Sequence, residues 1–156
     1  MTTKTQSPAL KYGNHPVWYD TILRRECEKR PAHGSYLHFD SRLEYEVYKI
    51  LLFRFKAPQI KHHYTVPILE ACHPFPAIKW EVDFKITTDD VCFFVEAKGL
   101  ELADYRLKLA LLARFNQKVY DRLIVVHSSK SAIQEFAHKI RCFELHYLDY
   151  PLCEGL

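Results

Sequence analysis

Residues 79–98 read KWEVDFKITTDDVCFFVEAK, and this stretch decides the fold that we expect. Residues 79–87 alternate between polar and apolar side chains with the period of a β-strand. The alternation places four apolar side chains on one side: Trp80, Val82, Phe84 and Ile86. Residues 91–97 are almost wholly apolar, as in a buried strand. Asp89-Asp90 between the two runs is a turn signal, so the segment is predicted to form a β-hairpin.

The turn fixes which residues of this hairpin face each other. With Asp89 and Asp90 at its centre, counting back along both strands sets Asp83 opposite Glu96. Directly opposed residues have Cβ atoms about 4.5–5.5 Å apart. Glu81 faces Lys98 by the same count. Since side chains two apart in a strand share a face, we expect all four charged groups on one side of the hairpin.

This arrangement suits a metal-assisted reaction. Two carboxylates held so close repel each other, unless one is protonated or a cation lies between them. Mg²⁺ prefers oxygen ligands, typically one or two carboxylates together with water and substrate phosphate. Such an ion polarises a phosphoryl oxygen and lowers the pKa of bound water, and Lys98 can neutralise charge or contact phosphate. The alternative is a solvated strand with a Glu–Lys cross-strand pair. The site is favoured because Glu96 and Lys98 end a hydrophobic strand just before Gly99.

The flanking sequence predicts a mixed β-sheet flanked by helices, in the order α-β-β-β-α-β-α-β. The first helix, Arg42–Leu52, has Asp40 or Ser41 as its N-cap and Glu44 at the capping-box position. The other expected elements are a strand at Gln59–Leu69, a helix at Leu102–Phe115, a strand at Asp121–Val126, a helix at Ser129–Ile140 and a strand at Cys142–Leu148. Helices between the last strands imply parallel crossovers. We expect residues 1–16 to form a flexible lead-in to a single domain at 17–156, with a short helix over Val17–Lys29.

The motif resembles that of the PD-(D/E)XK nuclease superfamily. Twelve residues separate Asp83 from Glu96-Ala97-Lys98, and Val82 stands where the family often has Pro. A helix carrying Glu44 precedes the hairpin and a helix opening Tyr105-Arg106-Leu107-Lys108 follows it. Together with residues 39–44, this looks most like small phage-type endonucleases and, more distantly, the TnsA-like nuclease domain. The resemblance covers about residues 39–127 and implies a restriction-endonuclease-like core.

The resemblance also implies roles for individual residues. Asp83 and Glu96 would be ligands of Mg²⁺ or Mn²⁺, with the Ala97 carbonyl completing the shell. Lys98 would orient the attacking water and stabilise charge on the phosphate. Glu44 matches the family's additional acidic residue at the metal. Arg106 and Lys108 would contact DNA phosphates.

Other readings of several residues stay open. Glu44 is also suited to a capping box with Ser41, and Glu46 is the fallback for the additional acid. Arg106 and Lys108 also fit a solvated helical face. Weaker possibilities are a zinc site, and a basic, aromatic stretch that touches DNA. The residues concerned are His62, His63, Cys72 and His73 for zinc, and Lys56, Lys61, His62, His63 and Tyr64 for DNA.

Composition restricts the protein class only loosely. The net charge of +3 is compatible with nucleic acid without requiring it. Five widely spaced Cys, with no CxxC pair, predict buried reduced thiols rather than disulfides or a structural zinc site. The polar N-terminus and the lack of a long apolar run predict neither a secretory signal nor a membrane span. We therefore expect an intracellular, cytoplasmic protein.

The function expected from the sequence is a Mg²⁺- or Mn²⁺-dependent endodeoxyribonuclease of recombination, replication or repair. Duplex, single-stranded, flap and four-way-junction DNA all remain open as substrates. A homodimer that cuts both strands is compatible with the fold, although no dimer surface can be identified. The alternatives are a non-catalytic DNA- or protein-binding module with the same fold, and a nuclease subunit active only within a recombination or transposition complex.

Overall fold

The computed structural model describes residues 15–100 and 102–146. The chain forms two compact units, one extending through Tyr45 and the other beginning at Glu46. The predicted lead-in over residues 1–16 lies almost entirely outside the described residues. The first unit contains three antiparallel strands, β1 (Val17–Asp20), β2 (Arg25–Cys27) and β3 (Tyr36–Phe39), in the order β2-β1-β3. Helix α1 (Arg42–Arg54) follows β3.

The short helix predicted over Val17–Lys29 is wrong, because this segment forms the β1–β2 hairpin. A side chain closes the turn between the two strands. The carboxylate of Asp20 accepts hydrogen bonds from the backbone N–H of Ile22 at 2.9 Å and of Leu23 at 2.8 Å. Arg24 completes the reversal with φ 51°. An Asp that bonds the backbone two and three residues onward stabilises a turn at the expense of a helix.

The core of the first unit lies on one face of its sheet. Val17, Tyr19 and Phe39 are buried there. The ring of Tyr45 on α1 lies with its centroid 6.0 Å from that of Tyr19 and 5.5 Å from that of Phe39. Aromatic packing therefore holds the start of α1 against this small sheet.

The second unit is built on a mixed sheet flanked by helices, as the sequence predicts, and this sheet has four strands. Its strands, in the order β4-β5-β6-β7, are β4 (Ile60–Leu69), β5 (Ile78–Thr87), β6 (Cys92–Lys98) and β7 (Leu123–His127). The pairs β4–β5 and β5–β6 are antiparallel, and β6–β7 is parallel. The helices are α2 (Ala103–Phe115), α3 (Gln117–Tyr120) and α4 (Lys130–His146), and a 3₁₀ turn at Ala57–Gln59 precedes β4. The expected parallel crossover thus runs through α2 and α3.

The strand predicted at Cys142–Leu148 is wrong as far as it can be followed, because α4 continues to His146. Tyr147 and Leu148 lie outside the described residues. The helix buries Phe136 and Ile140, four residues apart on one face. No Gly or Pro occurs from Ser131 to His146 to end the helix sooner.

Within the described part of the chain, no helix is long and apolar enough to cross a bilayer. The described cysteine side chains, Cys27, Cys72 and Cys92, are free thiols. Cys72 is exposed, so the prediction of a buried thiol is wrong at that position.

Candidate active site

The hairpin β5–β6 has the register that its turn predicts. The ladder comprises the pairs Thr87–Cys92, Ile86–Phe93, Lys85–Phe94 and Phe84–Val95. Asp83 and Glu96 are the next residues along the two strands. The predicted juxtaposition of these two acidic residues is therefore present.

At Asp83 and Glu96, carboxylate oxygens accept the hydrogen bonds that backbone carbonyls accept along the rest of the ladder. Oδ2 of Asp83 accepts a hydrogen bond from the Ala97 N–H at 2.6 Å. In the other direction, Oε2 of Glu96 lies 3.4 Å from the Asp83 nitrogen and accepts from its N–H. Each strand thus offers an amide to a carboxylate of the other strand. This exchange fixes both acidic side chains between the strands.

Beyond these acids, the two strands diverge into a fork. β5 stays paired with β4, where Glu81 is the register partner of Thr65. β6 stays paired with β7, where Glu96 is opposite Val125 and Lys98 is opposite His127. The expected cross-strand pairing of Glu81 with Lys98 is wrong, because the β5–β6 ladder ends at Phe84–Val95. Asp83 and Glu96 lie at the base of the fork.

Strand β4 changes face beside the same site. His62 lies against Phe84, with ring centroids 5.4 Å apart. Tyr64, two residues later, instead accepts a hydrogen bond from Lys85 Nζ at 3.2 Å. Lys85 neighbours Phe84 on β5 and projects from the opposite face. The residue between them, His63, has φ 51°, and this left-handed conformation produces the switch.

The face change also affects β5. The β4–β5 pairs step from His62–Phe84 to Tyr64–Val82, so the level between them holds His63 and Asp83. Val82 belongs to a buried cluster that also contains Phe94 and, from α2, Tyr105 and Leu112. Phe84 stacks instead on Tyr48 of α1, with centroids 6.0 Å apart. The four apolar residues of β5 are all buried, but the prediction that they share one side is wrong. Trp80 and Val82 pack with residues of α2, whereas Phe84 packs on α1.

Lys98 is positioned by an aromatic ring. It follows Glu96 by two residues and shares its face of β6. Its Nζ lies 4.6 Å from the ring centroid of Tyr105, close enough for a cation–π interaction. Tyr105 is buried and packs edge-on against Trp80 at 5.7 Å. A rigid ring therefore holds the ammonium group near the fork.

The donor chemistry at the fork suits a hard divalent cation. Glu96 is only 6% exposed, whereas Asp83 is partly exposed. A buried carboxylate beside a second one is unfavourable unless positive charge is supplied. All the predicted donors, the two carboxylates and the Ala97 carbonyl, are oxygens, as Mg²⁺ and Mn²⁺ prefer.

Glu44 forms the capping interaction that the sequence left open. Its backbone N–H donates to Ser41 Oγ at 3.1 Å. Its carboxylate accepts from the Asp40 N–H at 2.8 Å, one residue further back than in the standard capping box. The side chain is buried and belongs to the first compact unit. A role for Glu44 as a metal ligand stays a prediction.

The remaining predicted residues lie on helices. Arg106 is exposed and Lys108 partly exposed in the first two turns of α2, which suits either a phosphate contact or a solvated face. Glu46, the fallback acid, forms an ion pair with Lys49 at 2.7 Å. Ion pairs between residues three apart are common on helix surfaces, so this contact needs no metal to explain the Glu46 side chain.

The sequence does not predict that the rings of His62 and His63 lie together. Adjacent strand residues are expected to point to opposite faces, yet the rings of His62 and His63 stack with centroids 3.7 Å apart. The positive φ of His63 is the cause, and no local sequence signal announces it. Cys72 and His73, the other residues considered for zinc, are exposed, and Cys72 forms a bridge with Phe75.

Comparison of the chain with protein-family models, with curated proteins and with solved structures finds no match.

Proposed function

We propose that this chain is a Mg²⁺- or Mn²⁺-dependent endodeoxyribonuclease with a restriction-endonuclease-like core of the PD-(D/E)XK type. The observation that carries the proposal is the pair of carboxylates, Asp83 and Glu96, fixed by each other's strand at the base of the fork. The resemblance rests on the order of helices and strands around the motif. The chain has this order, which is α1, β4, β5, β6, α2 and parallel β7, and the agreement supports the proposal.

In this proposal, Asp83 and Glu96 hold the divalent ion, together with the carbonyl of Ala97. When bound, the ion supplies Lewis-acid polarisation of the scissile phosphate and a lowered pKa for water. Because Asp83 Oδ2 is tied to the Ala97 N–H, the carboxylate is oriented before substrate arrives. Preorganised ligands of this kind need no rearrangement during the reaction.

Lys98 stabilises the negative charge that develops on the phosphate as water attacks in line. The ring of Tyr105 holds its ammonium group without neutralising it. A carboxylate partner would neutralise that charge, but the predicted partner Glu81 lies beyond the end of the β5–β6 ladder, in register with Thr65 of β4. Lys98 therefore keeps its positive charge available to substrate.

Two cationic side chains in the first two turns of α2 supply DNA affinity in this proposal. Arg106 and Lys108 follow Tyr105, the residue that positions Lys98. Contacts from these two side chains to phosphates flanking the cut would orient the backbone without reading base sequence. The resemblance assigns Glu44 the role of the family's additional acidic residue, and this role stays a prediction.

The test is cleavage of supercoiled plasmid, single-stranded DNA and a four-way junction with Mg²⁺ or Mn²⁺. Wild type is expected to cut at least one of them, and EDTA to abolish cutting. Asp83→Asn, Glu96→Gln and Lys98→Met are each expected to reduce the rate by about 100-fold or more. Glu81→Gln is the matched control, because it removes an exposed carboxylate two residues from Asp83 and is expected to leave cleavage unchanged.

Two outcomes would overturn the proposal. Equal cutting by wild type and by all three site variants would mean that the activity lies elsewhere or comes from a contaminant. No cutting of any substrate in either metal would favour a binding module, or a subunit that needs its partners.

A further inference from the structure

One face of the sheet in the first unit carries a continuous aromatic surface. Trp18 is the register partner of His38, and Tyr36 lies two residues from His38 on β3. The ring centroid of Trp18 is 5.1 Å from that of Tyr36 and 4.3 Å from that of His38. All three side chains are partly exposed, whereas Val17, Tyr19 and Phe39 on the opposite face are buried.

Arginine side chains accompany these rings. The guanidinium of Arg30 lies 5.0 Å from the centroid of the Tyr36 ring. Asp20 is the register partner of Arg25 on β2 and of Tyr36 on β3. Because register partners project from the same face of a sheet, Arg25 lies on the same face as the rings. We call the set Trp18, Tyr36, His38, Arg25 and Arg30 the Trp18 face.

Three acidic side chains near the rings have partners of their own. Glu26 projects from the other face and pairs with Arg42 at 2.5 Å. The buried carboxylate of Asp20 bonds the turn amides and His33 Nε2 at 2.8 Å. Asp40 lies 3.4 Å from His38 Nδ1 at the rim. The Trp18 face therefore combines exposed rings with cationic charge.

We infer that the Trp18 face binds unpaired nucleotides of single-stranded nucleic acid. Bases stack on aromatic rings because every base has a π-face, and cationic side chains beside the rings attract the phosphates. Arginine held over a ring suits this role, since its planar group stacks and stays charged. Paired bases, in contrast, present no free face to Trp18. The inference extends the proposed function but does not depend on cleavage.

The intrinsic fluorescence of Trp18 can be measured without that of any other Trp residue once Trp80 is replaced. The chain has two Trp residues, and the other, Trp80, is buried in the second unit. In a Trp80→Phe background, an oligomer of about 16 nucleotides is titrated in EDTA, so that no cleavage occurs. Single-stranded DNA and RNA of one sequence distinguish the two sources of unpaired bases, and a duplex of that sequence is the third arm. Quenching by a single strand, with much weaker binding of the duplex, is the expected result.

Variants assign the binding to individual residues by fluorescence anisotropy of a labelled strand. Trp18→Leu keeps an apolar strand residue without a ring and is expected to weaken binding about tenfold or more. Trp18→Phe keeps a ring and is expected to bind nearly as wild type. Arg30→Gln is expected to reduce the slope of log affinity against log salt by about 0.7. Phe75→Ala removes another exposed aromatic side chain and is the matched control, expected to have no effect.

Three results would overturn the inference. One is that the Trp18→Leu variant binds the single strand as tightly as wild type does, while circular dichroism shows that the variant is folded. Another is duplex binding as tight as single-strand binding. The third is concentration-dependent dimerisation that Trp18→Leu abolishes while no oligomer binds, which would make the face an interface between copies. Because every binding arm is free of divalent metal, these results are independent of the cleavage test.

Discussion

The Ala97 amide nitrogen lies 2.6 Å from Oδ2 of Asp83, so a carboxylate of β5 takes the hydrogen bond that a backbone carbonyl takes elsewhere in the sheet. This hydrogen bond joins the two central strands of the four-stranded sheet. It ties the first acid of the candidate motif to the residue between Glu96 and Lys98. Direct hydrogen bonds therefore connect the residues of the candidate motif, which lie on two different strands.

Charge removal at Asp83 is expected to have opposite effects without and with metal. Without metal, Asp83→Asn relieves repulsion with the buried Glu96, so its Tm should equal or exceed that of wild type. With Mg²⁺ or Mn²⁺ at about 100 times Kd, wild type should gain about 2.7 kcal/mol in free energy of unfolding and the variant far less. Differential scanning fluorimetry with and without metal measures this. An equal metal-induced rise in both proteins would contradict the assigned site.

Lys98 is expected to matter for catalysis much more than for stability. A cation–π pair whose cation reaches solvent contributes about 0.5–1 kcal/mol. Lys98 is partly exposed, so Lys98→Met should lower the free energy of unfolding by about that amount. Its cleavage rate should nevertheless fall by about 100-fold, because the charge facing the phosphate is lost. Urea denaturation and plasmid cleavage measure the two effects. Lys79→Met, an exposed lysine on β5, is the control and should change neither.

Glycine is expected to stabilise the protein at position 63 relative to alanine. The φ of 51° at His63 costs a residue with a Cβ about 1–2 kcal/mol, a cost that glycine does not incur. His63→Gly should therefore be more stable than His63→Ala by about 1 kcal/mol, the reverse of their usual order in a strand. Because both variants lack the imidazole, their difference in urea denaturation isolates the backbone. Greater stability of the alanine variant would show that the left-handed conformation is absent.

Stability is expected to fall in acid partly through Asp20. The Leu23 amide above all, and then the His33 side chain and Ile22 amide, keep the pKa of Asp20 below its ordinary value despite burial. A carboxyl with a lowered native pKa contributes stability that is fully present above its unfolded value of about 3.9. That contribution is lost as pH falls through the lower native value.

Asp20→Asn cannot titrate, so it tests this linkage directly. Between about pH 5 and pH 2, its free energy of unfolding should decline less than that of wild type. At pH 7 the variant should be the less stable protein, because it loses the charged acceptor of the turn. Urea denaturation across this range measures both effects. Parallel curves would show that Asp20 has the same pKa in the folded and unfolded states.

The β5–β6 register could be predicted because its information is local. Asp89-Asp90 marks the turn, and the antiparallel geometry then determines each partner out to Phe84–Val95. The capping role of Glu44 was predictable for the same reason, since Ser41 and Glu44 lie within one helical turn. Short-range constraints thus gave the placement of both motif acids.

The errors arise where long-range packing or a side-chain bond overrides local preference. Nothing near His63 signals a left-handed residue, so the switch of faces could not be predicted from alternation. The β1–β2 hairpin was mistaken for a helix because its closure depends on one buried Asp20 carboxylate rather than on Gly or Pro. The strand predicted from Cys142 is wrong as far as His146, because no Gly or Pro precedes it to end the helix, and α4 continues through these residues.

The fork also provides built-in spectroscopic probes. The amide protons of Asp83 and Ala97 are bonded to carboxylates, so their NMR resonances respond to anything that changes the charge on those acids. Protonation or cation binding at the fork would shift these two signals, whereas the Lys85 amide, within the regular ladder, serves as an internal reference. A titration that follows backbone amides alone can therefore report on the candidate site without substrate, turnover or mutation.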